Sequence, residues 1–138
     1  MIAEAVHKLL RNASAVTDVV GDRIHYAERP VKLGLPALVV QDGADQTIPN
    51  LKDPSNASLG FVRVTALADT YLGAADLARA VRLALDGYHG NVAIDSGTVR
   101  VGFLKLDDDA PIPSDHRDGE GLIRTHGRQV DFRHLLQR

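Results

Sequence analysis

The groups with the most chemical potential in this chain lie close together: Asp107, Asp108, Asp109, Asp115, His116 and Asp118. Carboxylates crowded in a loop can hold Ca²⁺ or Mg²⁺. Their spacing does not follow the calcium-loop pattern, because no glycine stands at the turn position and no glutamate closes the loop, so a solvated run of repelling carboxylates is the simpler reading. His116-Arg117-Asp118 copies the first three letters of a protein-kinase catalytic loop, yet Ile123 occupies the place of the expected Asn, and neither a glycine loop nor a strand lysine accompanies it. The other histidines, His7, His25, His89, His126 and His134, make no His-Glu-x-x-His, no His-x-His and no helical i, i+4 pair. Gly119-Glu120-Gly121 lacks the third glycine and the preceding strand of a dinucleotide site, and Asp95-Ser96-Gly97 reads as a turn before a strand. With no Cys there is no thiol nucleophile, zinc ribbon or disulfide framework. The expectation is a non-enzymatic protein with no metal and no cofactor.

Composition narrows the classes further. A chain of 138 residues is one domain long, so a single domain over residues 1–138 is expected. Its 44% hydrophobic content supplies a core without disulfide or metal staples. Aromatic residues make up only 4%, with no Trp, so that core must be Ala, Val, Leu and Ile, and a platform of stacked aromatics for single-stranded nucleic acid is improbable. Sixteen Lys and Arg against eighteen Asp and Glu leave a net charge of -2, without the basic excess that duplex binding requires. The opening residues lack the basic and apolar regions of a secretory signal, and no stretch approaches the roughly 18 apolar residues of a membrane span. A soluble protein made in the cytoplasm, with no membrane partner, is the expectation.

The elements that must position any site follow from periodicity. Ile2, Ala5, Val6, Leu9 and Leu10 recur at helical spacing opposite Glu4, His7, Lys8 and Arg11. A short helical turn runs from a Ser14 cap to a Gly21 stop, and Arg23-Ile24-His25-Tyr26 opens a strand. Ala37 to Gln41 is an apolar strand after Pro36. Leu59 to Ala68 alternates, with Val62, Val64, Ala66 and Ala68 on one face and Phe61, Arg63, Thr65 and Leu67 on the other. Thr70 caps a second helix whose apolar positions are Ala74, Leu77, Ala78, Val81, Ala84, Leu85 and Tyr88, stopped by Gly87 and Gly90. Two final strands, Thr98 to Leu106 and Leu122 to Leu135, flank an acidic connection from Asp107 to Gly121, and Val130 and Phe132 point inward together. This order predicts the α+β class: a mostly antiparallel sheet of about four to five strands with two helices packed on one face.

Two polar segments are left over. Asp42 to Ser58 is a long loop or an extended hairpin tip, and Asp107 to Gly121 is the acidic connection. Both are unneeded for the core and are candidate contact elements, through Asp45, Asn50, Lys52 and Asp53 in the first and Asp107, Asp109, Asp115, Arg117, Asp118 and Glu120 in the second. Arg117 stands among Asp115, Asp118 and Glu120, so charge alternates along the second segment.

Several pieces in order resemble the tail-completion, or tail-terminator, family of long-tailed bacteriophages and gene-transfer particles. They are Ile2-Ala3-Glu4-Ala5-Val6, Val20-Gly21-Asp22-Arg23-Ile24, Leu35-Pro36-Ala37-Leu38-Val39-Val40, Val62-Arg63-Val64, Thr70-Tyr71, the run from Ala78 to Tyr88, and Asp131-Phe132-Arg133. They span nearly the whole chain. Departures are His134-Leu135-Leu136 after Phe132-Arg133, where the family often places an aromatic, and the individual segment from Asp107 to Gly121. The resemblance implies a structural virion protein that caps the tail tube as a ring of identical subunits, typically six, and joins tail to head. Implied partners are other copies of itself, the tail-tube protein, a head-tail connector and, weakly, passing DNA. The implied location is the tail end or neck of a particle assembled in the cytoplasm of a bacterial host. Such a ring needs two different complementary patches per subunit, and near-neutral charge lets subunits pack without strong repulsion. The alternatives are another connector or neck component, and a metal-dependent hydrolase using His116 with the Asp107 to Asp118 carboxylates.

Overall fold

The computed structural model describes residues 2–26, 34–48, 57–112 and 125–137. Its elements are α1 (Ile2–Arg11), α2 (Ser14–Val20), β1 (Ile24–Tyr26), β2 (Ala37–Ile48), β3 (Ala57–Ala68), α3 (Tyr71–Leu85), β4 (Gly90–Ile94), β5 (Gly97–Ile112) and β6 (His126–Gln137).

α1 forms because its apolar residues fall on one stripe: Ile2, Ala5, Val6 and Leu10 are buried. Glu4 in its first turn and Lys8 and Arg11 in its last complement the helix dipole. The Ala3 amide, one of the orphan donors of that first turn, donates to Asp42 Oδ1 on β2 at 3.1 Å, which fastens the helix start to the sheet. α2 buries Val16 and Val20, and ends at Gly21 with φ 60°, a conformation that favours glycine. In α3 the Thr70 side chain accepts from the Gly73 amide at 2.9 Å, and Ala74, Leu77, Ala78, Val81 and Leu85 are buried.

The strands form one sheet in the order β1-β2-β3-β6-β5-β4. The central β3/β6 pair runs unbroken from Ala57↔Gln137 to Ala68↔His126. Side-chain alternation then sorts the faces: Val62, Val64, Ala66 and Ala68 on β3 are buried, as are Val130, Phe132, His134 and Leu136 on β6, beneath the helices. Among the described residues, Phe132 is the largest fully buried side chain. All three helices share in a single hydrophobic cluster with residues of every strand.

The structure corrects the expected outline in several places. Among the described residues there are three helices and six strands, not two helices and four to five strands. The helical turn at Ser14 is a helix in its own right; Ser14 is its first residue rather than its cap, which is Ala13, and Ala13 offers no side-chain oxygen. Gly90–Ile94 is a strand, paired with Gly97–Val101 through a tight turn. The sheet is mixed, because β1 pairs with β2 in parallel while every other pair is antiparallel. The acidic connection begins later than expected: β5 continues through Asp107, Asp108 and Asp109 to Ile112, in register with β6. Likewise β2 extends to Ile48 and β3 starts at Ala57, and the last strand is His126–Gln137 rather than Leu122 to Leu135. Polar, charged and proline residues hid these extensions, because long two-stranded partners supply the backbone hydrogen bonds that composition alone does not reveal.

Candidate interaction surfaces

Among the described residues, one face of the sheet carries no helix, and its central strands build a charged field with apolar flanks. The backbone register sets Arg63 opposite Asp131 and Phe61 opposite Arg133. Arg63 donates from Nε to Asp131 Oδ1 at 2.8 Å and from Nη2 to Oδ2 at 3.2 Å, a two-pronged pairing that raises the Arg63 guanidinium pKa chiefly through this hydrogen bonding. Arg133 pairs with Asp107 at 3.2 Å and lies 5.8 Å from the Phe61 ring centroid. Leu59 and Phe61 remain 40% and 41% exposed beside this cluster, as apolar neighbours of neutralised charges. Gln41, Gly43, Phe61, Arg63, Asp107 and Asp131 border a shallow open depression here.

A β-bulge shapes the rim of that depression. Asp42 pairs with Val62 and Asp45 with Gly60, so Gly43 and Ala44 together oppose Phe61. A Cβ on Gly43 would sit 2.9 Å from both the Phe61 Cβ and the Phe61 carbonyl oxygen, and only glycine fits that approach.

The described part of the acidic segment is pinned to the fold. Asp109 accepts from Arg128 Nε on β6 and faces Arg82 Nε on α3 at 3.0 Å, with its side chain 11% exposed. Hydrogen bonding to Asp109 is the main cause holding the Arg128 guanidinium above its ordinary pKa. The carboxylate thus clamps the helix layer to the two-stranded β5/β6 ribbon. Asp107 sits at the register shift between Leu106 and Asp108 and pairs with Arg133 on the helix-free side. Asp86, just after α3, accepts from the Leu106 amide at 2.9 Å.

Of the candidate contact residues, Asp107 and Asp109 are therefore engaged within the chain rather than gathered in a loop. Asp45 lies in β2, paired with Gly60. Asn50, Lys52, Asp53, Asp115, Arg117, Asp118 and Glu120 lie outside the described residues, as does His116. Among the described residues no group of three or more His, Asp or Glu is placed to hold a metal ion. None of their helices is long and apolar enough to cross a membrane.

Sequence reasoning missed two features. Leu72 and Leu83 are 72% and 77% exposed on α3, eleven residues apart and so on the same side of the helix. The helical period did place them off the buried stripe, which was the available signal. The Arg63–Asp131 pair joins residues 68 positions apart, and only the β3/β6 register brings them together. At the β1 end, His7 stacks on Tyr26 with ring centroids 4.8 Å apart while its Nε2 lies 3.0 Å from the Ile24 carbonyl oxygen. Burial, then the negative charges of Glu4 and Asp95, raise the Tyr26 phenol pKa.

No model of a known protein family matches this sequence, and no curated protein matches it. Solved structures do. A chain in the virion of a native gene transfer agent particle superposes with a TM-score of 0.73 at 17% identity, over 97% of this chain and 92% of that one. A second solved chain gives a TM-score of 0.61 at 12% identity, over 99% of this chain and 94% of that one. At these identities the likeness shows the fold: the α+β arrangement described above is shared over nearly the whole length with that chain of the gene transfer agent virion.

Proposed function

We propose that this protein is a non-enzymatic structural component of a phage-like particle, which caps the tail tube as a ring of identical subunits and joins tail to head. The observation that carries the reading is the near-complete superposition on a chain of a gene transfer agent virion, at a TM-score of 0.73. The ordered motifs from Ile2 to Arg133 that resemble the tail-completion family point the same way. The surface chemistry is consistent with it, since a helix-free sheet face with Leu59 and Phe61 exposed and a separate helix face with Leu72 and Leu83 exposed offer two unlike patches, as a head-to-tail ring requires. Partners under this reading are further copies of the chain, the tail-tube protein and the head-tail connector, with weak contact to passing DNA at most, and the protein resides at the tail end of the virion.

Electron microscopy of a lysate from the source particle with this gene deleted tests the reading. Filled heads beside unjoined tails, or tails of uncontrolled length, are expected. Normal infectious particles would overturn it, and joined particles with a defect at the neck would move the protein to another connector position.

A further inference from the structure

The outer side of α3 carries a pattern that complements itself when reversed. Leu72, Asp76, Arg79 and Leu83 are all exposed, the two leucines by 72% and 77%. Steps of four, three and four residues keep them on one stripe, because eleven residues complete three helical turns to within about 20°. The stripe is symmetric about a point between Leu77 and Ala78, close to the middle of the helix. The neighbouring polar groups are already engaged within the chain: Arg82 faces Asp109, and Asp86 accepts from the Leu106 amide. Asp76 and Arg79 make no ion pair among the described residues.

A second α3 laid antiparallel across this stripe meets its own complement. Leu72 falls level with Leu83 of the second copy and Asp76 with its Arg79, and two-fold symmetry makes each match occur twice. A parallel copy would set Asp76 against Asp76 and Arg79 against Arg79, so the charges select the antiparallel arrangement. Asp69 and Asp86, the like charges that would come level with one another, lie beyond the helix ends, where crossing helices diverge. The surface relief agrees. Arg79, Arg82, Leu83 and Asp86 stand at i, i+3, i+4 and i+7, the spacing that frames a hole for a side chain of a facing helix, and with Leu106 they border a shallow depression. Leu72 of the antiparallel copy lies at the level of that hole, whose walls include Leu83, Leu106 and the aliphatic stems of the two arginines. Ala75 and Ala80, small and half-buried, flank the stripe and let the two helices approach closely.

We infer that two copies of this chain pair through α3, antiparallel and two-fold, with Leu72 of each seated in the hole framed by Arg79, Arg82, Leu83 and Asp86 of the other, and Asp76 matched to Arg79 across the joint. The leucines supply the attraction and the ion pairs the register. One helix pair is a small interface, so the association is weak and shows at high protein concentration. The inference goes beyond the proposed function and does not rest on it. A two-fold contact closes at two copies, leaves Leu59 and Phe61 on the helix-free face open, and must be displaced by any ring neighbour that uses the helix patch.

Sedimentation velocity on the unaltered pure protein, from about 10 μM to about 1 mM, should show monomer giving way to dimer. Asp76→Arg and Arg79→Asp each set like charges together in both matches, and each should raise the concentration for half-dimerisation roughly tenfold or more. An equal mixture of the two variants restores the complement in the heterodimer and should recover the dimer. Leu72→Cys with Leu83→Cys, in a chain without native cysteine, should oxidise to a covalent dimer and stop there, whereas Leu83→Cys alone should give none. Within one helix those two positions are about 16 Å apart, too far for a bridge inside the chain. Monomer at every concentration, a dimer that both charge variants leave intact, or a mixture that fails to recover it overturns the inference. A ladder of multimers beyond dimer from the double cysteine variant would mean head-to-tail use of the helix face, and also overturns it. A dimer that behaves as stated beside normal particles from the gene deletion would sink the proposed function alone, whereas failed joining on deletion with monomer at every concentration would sink the α3 pairing alone.

Discussion

Replacing Asp109 with Ala separates an internal clamp from an assembly contact. The carboxylate lies between the guanidiniums of Arg128 and Arg82, on β6 and α3, with 23% and 39% of those side chains exposed. The hydrogen bond to Arg128 is charge-assisted and largely shielded, and bonds of that kind contribute about 1.5–3 kcal/mol. Arg82 is open enough to water that its share is discounted to about 0–1 kcal/mol. Removing the carboxylate also leaves two cations facing one another. The expected loss is about 2–3 kcal/mol, and at roughly 3 °C per kcal/mol for a domain of this size the melting temperature should fall by about 6–9 °C. Denaturant unfolding of the purified monomer, followed by circular dichroism, measures it. A double-mutant cycle with Arg128→Ala should return a coupling of about 1–2 kcal/mol, because the two side chains share one interaction. A loss under about 0.5 kcal/mol with assembly abolished would refute the clamp and return Asp109 to the subunit interface.

Further outcomes follow from the same geometry. Gly43→Ala should destabilise the protein by about 1–3 kcal/mol, since the added Cβ meets Phe61 backbone and Cβ at 2.9 Å; Phe61→Ala should not rescue it, because both clashing atoms remain, and denaturant melts of the single and double variants would tell. Asp42→Ala should cost about 0.5–2 kcal/mol by removing the acceptor for the Ala3 amide, with faster hydrogen exchange confined to the first turn of α1. Phe132→Ala should cost about 3–5 kcal/mol, the value for truncating a fully buried aromatic. Tyr26 should ionise at higher pH than an unperturbed phenol of about 10. Its folded pKa is raised, so its contribution to stability is full below the unfolded value and is lost as pH rises through the folded one; ultraviolet titration with Tyr26→Phe as control checks the order.

The helix-facing core was legible because burial imposes a period. Val62, Val64 and Ala66 alternate, Leu77, Val81 and Leu85 recur each helical turn, and both patterns are buried as the residues alone suggest. What was not legible is pairing. β4 is five residues of mixed character whose strand state depends on a turn at Asp95-Ser96 and a partner in β5. The segment Asp107 to Ile112 has loop composition, yet β6 supplies its hydrogen-bonding partner, and Arg82, Arg128 and Arg133 supply the positive charge that makes its aspartates tolerable there. A local reading sees three adjacent carboxylates and infers solvent or a metal. Only the register, 19 residues away for Arg128, shows that the chain neutralises Asp109 from within.

The same bookkeeping of charge distinguishes the surfaces left for partners. On the helix-free face the described aspartates and arginines largely answer one another: Arg63 with Asp131, Arg133 with Asp107. A surface paired in this way exerts little long-range field, and its attraction for a polyanion is correspondingly weak, in keeping with the net charge of -2. Recognition there must come from shape and from the apolar groups among the pairs, Leu59 and Phe61, whose contacts operate only at close fit. Surfaces of that kind suit a close-fitting folded partner better than a diffusing charged ligand. The distinction is measurable: self-association should weaken little between 50 mM and 500 mM salt, while retention on a polyanion column should be absent at both. A steep loss of self-association over that range would show that unpaired charge, not the apolar patch, drives the contact.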